Sequence, residues 1–366
     1  MSDFKALPDL PAPTSSTGLA GWFRSNLFST PINSVVSVIS IYFIVSFLIP
    51  VLDWAFVSAV WTGEGNAACE QASGACWIFI EDRISIFSYG IYPADQTWRL
   101  DIAFALLAVS FGPQFFDKFP FKMPLAIFSL TAFPLISFYL ISGGAFGLEY
   151  VPTERWGGLS LTLILAFVGI VAALPIGVVV ALGRRSEMPV IRSVCIGFIE
   201  LWRGIPLISV LFMSSVMLPL FLPEGMNFDK LLRALIGITM FQSAYMAEVI
   251  RGGLQAIPRG QYEAASAMGL GYWGQMRLVV LPQALKLVIP GIVNTFIALF
   301  KDTTLVLIIG LLDVLALVQS AIEDPAWGAV ETEGYVFAAF CFWVFCFSMS
   351  RYSQKLERKL HTGHKR

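Results

Sequence analysis

The chain has 366 residues, of which 57% are hydrophobic and only 13% are charged, about half of the roughly 25% typical of soluble domains. Several apolar runs reach the roughly 20 residues that a bilayer-spanning helix needs. These features exclude a soluble globular protein and predict an all-α polytopic membrane protein. The net charge of −1 gives no reason to expect a nucleic-acid partner. No G-x-x-x-x-G-K-[ST] motif occurs, and both histidines, His361 and His364, lie in the C-terminal tail. We therefore expect no phosphate-binding loop and no histidine-based metal site in the body of the chain.

The N-terminal region divides into a polar arm and a first span. Residues 1–31 are rich in Pro, Ser and Thr and are predicted to form a cytoplasmic arm. The apolar run 32–52 is longer than a secretory signal core and begins too late for one, so we expect an uncleaved anchor. A cleaved signal, with residues 57–59 (VSA) as its cleavage site, is the alternative.

Residues 53–98 are predicted to form a periplasmic loop, because they hold six carboxylates against the single basic residue Arg83 and basic residues accumulate inside. Cys69 and Cys76 could form a disulfide in that oxidising compartment, although two free thiols are the alternative. The aromatic-rich stretch 77–98 is expected to lie along the outer membrane interface.

Two further spans complete the N-terminal part. Span two is predicted at 99–116 and span three at 123–142, where Pro134 should introduce a kink. Lys118 and Lys122 place the loop between these spans inside, and residues 143–158 return outside.

Span four is predicted at 159–183. The following apolar stretch, 189–223, is too long for one upright span and too short for two, and it contains Glu200 and Arg203. Because charges avoid the bilayer centre, we divide it into an inner-boundary helix at 190–203 and span five at 205–222. Glu200 and Arg203 are expected to form an ion pair at the inner boundary.

The last spans are predicted at 231–249, 284–300 and 335–349. Segment 305–322 is interpreted as a re-entrant or outer-lying helix, because a crossing there would put acidic residues inside and the basic tail outside. This topology has about eight spans and both termini in the cytoplasm. It places 17 of the 24 lysines and arginines inside and four outside.

A polar stretch, 251–290, interrupts the apolar runs after span six. Pro258 is predicted to open a helix over 259–268, and Gly269 to close it in the left-handed conformation. A second short helix is expected over 272–281, stopped by Pro282. The first helix would present a smooth ridge, suited to a groove on another protein, that is formed by Ala264, Ala267 and Met268 and bordered by Glu263 and Ser266.

This stretch resembles the EAA loop of ABC-importer permeases. The match consists of Glu263-Ala264-Ala265, three residues, Gly269, nine residues and Val279-x-Leu281-Pro282, with Val279 where Ile is commonest. In that family the loop forms cytoplasmic coupling helices that dock onto the ATPase subunit. The resemblance implies an ATPase-coupling set of Glu263, Ala264, Ala265, Gly269, Leu281 and Pro282. An ordinary amphipathic loop is the alternative.

The wider sequence is similar to polar amino acid (histidine/glutamate-type) permeases. The motifs Ala244-Tyr245-x-Ala247-Glu248-x-x-Arg251-Gly252-Gly253 and Lys301-Asp302-Thr303 carry this resemblance, and Ile205 departs from the Thr that more often precedes the proline. Gly74-Ala75-Cys76-Trp77 resembles the larger permease chain of general L-amino-acid transporters. The resemblance implies accessory spans at 32–157, a five-span type I importer core at 158–352 with its coupling loop at 251–283, and a basic cytoplasmic tail at 353–366.

The resemblance also implies an assembly in the bacterial inner membrane. Its members would be two ATPase copies, a second and unlike permease chain, and a periplasmic amino-acid-binding protein, with a homodimer as the alternative to two unlike permeases. ATP and Mg would bind the partner ATPase, so no cofactor is expected on this chain. Amino acids would enter by alternating access.

Polar side chains within spans face protein or cavities by default. This nominates a set of substrate-path candidates: Gln242, Tyr245, Asn294, Lys301 and Asp302. A structural role is the alternative for each, such as mutual neutralisation of Lys301 and Asp302. An ion-coupled secondary amino-acid carrier and an intramembrane enzyme are the competing function classes. A carrier has no use for a docking loop and often shows inverted repeats, which are not apparent here.

Overall fold

The computed structural model describes residues 18–70, 73–116, 119–221, 223 and 228–360, which are mainly helical. Most of the predicted N-terminal arm, Lys118 and the last residues of the tail with both histidines lie outside this described part. The chain divides into two compact units, Met1–Ile78 and Phe79–Arg366.

The first unit contains α1 (Gly18–Asn26) and the long apolar α2 (Pro31–Leu52). Thr30 caps α2, its hydroxyl accepting from a backbone N–H of the first turn. No residue of α2 is buried. The structure joins Cys69 and Cys76 in a disulfide with a Cα–Cα distance of 5.7 Å.

The N-terminal part of the second unit contains three bent or short helical segments after α3 (Ile78–Tyr89), namely α4 (Trp98–Phe111), α5 (Lys122–Leu130) and α6 (Ala132–Ser142). The predicted kink in span three is confirmed, because α5 and α6 meet at 44°. Pro134 has no N–H for the carbonyl of Leu130, and its ring crowds that carbonyl, so the helix breaks one turn before the proline.

Span four corresponds to α7 (Gly158–Arg184), and the predicted division of the next stretch is also confirmed. α8 (Pro189–Gly204) and α9 (Leu207–Phe212), which continues in tighter and wider turns to Phe221, meet at 103°. Ile205 is extended, with φ −112° and ψ 135°. A residue before proline is biased toward this conformation, so Ile205-Pro206 is the local cause of the corner.

The remaining helices are α10 (Lys230–Ala256), α11 (Arg259–Ala267), α12 (Tyr272–Gln275), α13 (Leu281–Asp302), α14 (Val314–Ile322) and α15 (Glu331–Leu360). α10 packs against α7, α8, α9 and α13. It buries 15 of its 27 residues, so it forms the centre of this unit's core.

α10 also corrects a predicted boundary. It does not end at residue 249 but continues to Ala256, so the stretch that begins at residue 251 starts inside a helix. Two contacts favour this extension. Glu248 and Arg251 form a salt bridge one turn apart, and Gly253 lets the helix approach the backbone of α13 closely.

Four of the described helical segments are long and apolar enough to cross a membrane, or up to six if the two bent pairs count as spans. α10 is long enough to cross a membrane, at about 40 Å, but it is too polar to be counted among these segments. The total of eight spans therefore stays a prediction. α14 has nine residues, or about 14 Å, so it is too short to cross the bilayer by itself.

Candidate functional site

α11 begins at the predicted residue and ends one residue before the predicted end. Pro258 occupies its N-cap with φ −58° and ψ 143°, which is extended backbone that leads directly into the helix. Gly269 follows the helix with φ +75°, a conformation that L residues rarely adopt. The backbone N–H of Leu270 then donates to the Ala265 carbonyl at 3.2 Å, which closes the helix end.

One face of α11 is open to solvent. We call Glu263, Ala264, Ala267 and Met268, all exposed, the α11 ridge. The Met268 side chain is 81% exposed. Ala265, which also belongs to the predicted coupling set, is buried and only 4% exposed. Its position one residue further round the helix turns it toward the chain's own core, so it seats α11 and does not extend the ridge.

Arg185 and Tyr262 tie α11 to the end of α7. The Arg185 guanidinium donates to the Tyr262 hydroxyl at 3.0 Å and to the Leu254 carbonyl at 2.9 Å. The Tyr262 hydroxyl donates to the same carbonyl at 3.2 Å, and the guanidinium lies 5.7 Å from the Tyr262 ring centre. No sequence pattern indicated this contact between Arg185 and Tyr262, so the anchor was not predicted.

The prediction that Pro282 stops the second helix is wrong. α12 does not stop there; a π-helical turn, Met276–Val280, carries the chain directly into α13. Pro282 lies in the first turn of α13, where a missing N–H is tolerated. Tyr272 and Trp273 at the start of this piece are 50% and 73% exposed.

Three arginines surround Glu248 where α7, α8 and α10 meet. Arg184 from α7 forms a close salt bridge to its carboxylate. Arg251 from α10 lies at 2.9 Å, and Arg203 from α8 lies at 3.6 Å. The predicted Glu200–Arg203 pair is therefore wrong. Glu200 points to the exposed side of α8, and Arg203 instead bridges to the partly buried carboxylate of α10.

Comparisons with known proteins place this geometry in a family. Residues 173–362 match the model for the binding-protein-dependent transport system inner membrane component. The chain is 55% identical over 356 residues to the inner membrane amino-acid ABC transporter permease protein YhdY of Escherichia coli (strain K12), covering 97% of each chain. The chain belongs to this family. It is an inner-membrane transport subunit, and a separate subunit hydrolyses the ATP.

One further relative agrees with this assignment. The permease is 39% identical over 423 residues to the glutamate/glutamine/aspartate/asparagine transport system permease protein BztC of Rhodobacter capsulatus, covering 97% of this chain and 96% of that one. The crystal structure of an amino acid ABC transporter with histidines is 32% identical, with a TM-score of 0.49 over 55% of this chain and 92% of that chain. The predicted family is confirmed, and the carrier and enzyme interpretations are set aside.

The substrate-path candidates differ in their burial and in their contacts. Gln242 is buried, and its side-chain amide donates to the Thr295 carbonyl at 2.7 Å, so it holds α10 to α13. Tyr245 is 37% exposed and lies under the Arg203 guanidinium at 5.3 Å. Asn294 and Lys301 on α13 are exposed, and Asp302 is half-buried. No salt bridge joins Lys301 to Asp302, although both belong to the described part of the chain.

Proposed function

We propose that this permease subunit carries amino acids, polar or general L-amino acids in class, into the cytoplasm. The printed names of the relatives support this cargo, because one is an amino-acid permease and another is named for glutamate, glutamine, aspartate and asparagine. The energy would come from the ATPase subunit, which docks on the α11 ridge.

The exposed α11 ridge is the observation that carries this proposal. It combines the Glu263 carboxylate with small side chains and Met268, and Tyr272 and Trp273 add exposed aromatic surface nearby. Exposed apolar surface with a charged border is typical of a protein interface. The Arg185–Tyr262 anchor holds the ridge firmly against the end of α7, so a displacement of the ridge would move the membrane helices with it.

We infer the wider assembly from the family. ABC permeases work with an ATPase and a substrate-binding protein, here proposed to be a pair of ATPase copies and a periplasmic amino-acid-binding protein. A second, unlike permease chain would complete the path. In this arrangement residues 158–352 form the transport core, 32–157 the accessory spans, and both termini lie in the cytoplasm.

The proposed mechanism is alternating access. ATP-driven closure of the ATPase pair would move the α11 ridge and tilt the attached helices, which opens the path to the loaded binding protein. Tyr245, Asn294, Lys301 and Asp302 are the candidates for contact with the amino acid, whereas the Gln242 amide is already used within the helix pair. The Glu248 cluster would keep α7, α8 and α10 together during this movement.

Glu263→Lys tests the docking surface. We expect the complex to insert and assemble, but transport and substrate-stimulated ATPase activity should fall at least about tenfold, because reversal of an interface charge places like charges together. The measurement is ATP hydrolysis by the reconstituted complex with and without loaded binding protein. Glu357→Lys, the same reversal at an exposed site on α15, is the matched control and should behave as wild type.

Normal substrate stimulation in the Glu263→Lys complex would contradict the assignment of the ridge. A panel of amino acids in the same assay tests the cargo separately. Stimulation by sugars or metal ions, and by no amino acid, would overturn the cargo while leaving the ridge intact.

A further inference from the structure

A cavity of about 580 Å³ lies between the accessory helices α4 and α6 and the core helices α7 and α10. Its walls are almost entirely apolar and include Ala103, Phe133 and Phe167. A volume of this size is in the range of small-molecule sites, roughly 300–1,000 Å³. None of its residues belongs to the α11 ridge, the Glu248 cluster or the substrate-path candidates.

Two hydrogen-bonding groups in the lining have no partner. Trp156 is only 4% exposed, and its indole Nε1 makes no hydrogen bond. The Ser137 hydroxyl is also buried and without a partner. The Trp156 ring packs against Phe138, the neighbour of Ser137, at 6.5 Å between ring centres. Buried donors almost always have an acceptor, and these two side chains have none among the described residues.

Water is a poor occupant for this cavity. A buried water needs two to four polar partners, whereas most of the lining is hydrocarbon. In a membrane protein the available apolar molecule is a lipid. A phospholipid acyl chain would fill the apolar volume, and its ester carbonyl would supply the missing acceptor.

The polar end of the cavity indicates which headgroup fits. Asp229 caps α10 by accepting from two backbone N–H groups, and the Thr153 hydroxyl donates to its carboxylate. Both residues line the cavity. A carboxylate at this end repels an anionic headgroup and attracts an ammonium group.

We propose that this cavity binds one phosphatidylethanolamine, with an acyl chain between α4, α6, α7 and α10 and an ester carbonyl that accepts from Trp156 Nε1. The lining of α7 from Ser160 to Val168 is about 12 Å long, enough for much of an acyl chain. The lipid would join the accessory helices to the transport core as a structural component.

The test uses the complete transporter in nanodiscs of equal phosphatidylethanolamine and phosphatidylglycerol. After extraction into a mild detergent, native mass spectrometry counts the phospholipid retained per complex. We expect wild type to retain one more phosphatidylethanolamine than Ala103→Phe, whose added ring fills the cavity. Trp156→Phe removes only the N–H and should lower retention roughly three- to tenfold, the scale of one net hydrogen bond.

Trp327→Phe is the matched control, because Trp327 is equally buried but packs on Phe79, away from the cavity. It should retain lipid as wild type does. Equal retention by wild type, Ala103→Phe and Trp156→Phe, or retention of detergent alone, would overturn the lipid site. Retention of phosphatidylglycerol in place of phosphatidylethanolamine would overturn the headgroup assignment.

Discussion

α2 and α10 are both long helices, yet their surroundings are opposite. α2 is strongly apolar and none of its 22 residues is buried. α10 contains Lys230, Arg233, Glu248 and Arg251 and is too polar to count as an apolar span. It buries 15 of its 27 residues. In this permease the strongly apolar α2 is therefore far more exposed than the more polar α10.

The difference follows from the solvent. Lipid tails are as apolar as leucine, so a helix that faces lipid gains nothing from polar side chains and must be apolar all round. A helix enclosed by other helices can satisfy polar groups with partners, as the Gln242 amide does with the Thr295 carbonyl. Polarity within a long helix of this kind thus indicates protein contact.

Alanine substitution of one isoleucine in each helix gives the largest expected contrast. Ile238 in α10 is 1% exposed and Ile44 in α2 is 60% exposed. Ile238→Ala leaves a cavity and should lower the free energy of unfolding by about 3 kcal/mol, whereas Ile44→Ala should change it by less than about 0.5 kcal/mol. Thermal unfolding of the purified complex measures both, and equal losses would break the comparison.

Neutralising the carboxylate of the arginine cluster should have the next largest effect. Glu248→Gln leaves three guanidinium groups close together without a counter-charge, so we expect about 2 kcal/mol of destabilisation. Glu200→Gln, at an exposed position of α8, should be close to neutral. Denaturant unfolding measures the free energy of unfolding of both variants. A larger loss for Glu200→Gln than for Glu248→Gln would contradict the stabilising role of the cluster.

Two adjacent glycines of α10 provide the smallest contrast, with opposite signs. A Cβ on Gly253 would come within 2.7 Å of the Ala284 carbonyl oxygen, and nothing lies within 4 Å of one on Gly252. Gly253→Ala should destabilise by about 1–2 kcal/mol through overpacking, whereas Gly252→Ala should stabilise by up to about 1 kcal/mol through helix propensity. Melting temperatures of the two variants check the sign, and a rise for Gly253→Ala would show that the α10–α13 contact is looser than described.

Features set by one or two residues could be predicted from the sequence. The kink before Pro134, the start of α11 at Pro258 and its left-handed end at Gly269 each depend on backbone restrictions of the residue itself. These restrictions act whatever surrounds the chain, so local reasoning was sufficient.

Features set by distant partners could not be predicted in this way. Glu200 and Arg203 have the spacing of a helical pair, but Arg203 meets a carboxylate 45 residues further along the chain. The role of Tyr262 as an anchor depends on its contact with Arg185, which is 77 residues away in the sequence. Pro282 was expected to end a helix. The π-helical turn that precedes it and leads into α13 has no clear sequence pattern, so the continuation could not be predicted.

The uninterrupted path from Tyr272 to Asp302 has a mechanical consequence. These residues form one continuous helical rod, about 45 Å long. Its exposed aromatic end lies in the proposed docking region, and its far end carries Lys301 and Asp302. A tilt of only about 5° over such a length would displace the far end by about 4 Å, roughly the width of an amino-acid side chain. A small rotation at the docking end would then displace Lys301 and Asp302 if the rod moves as one unit.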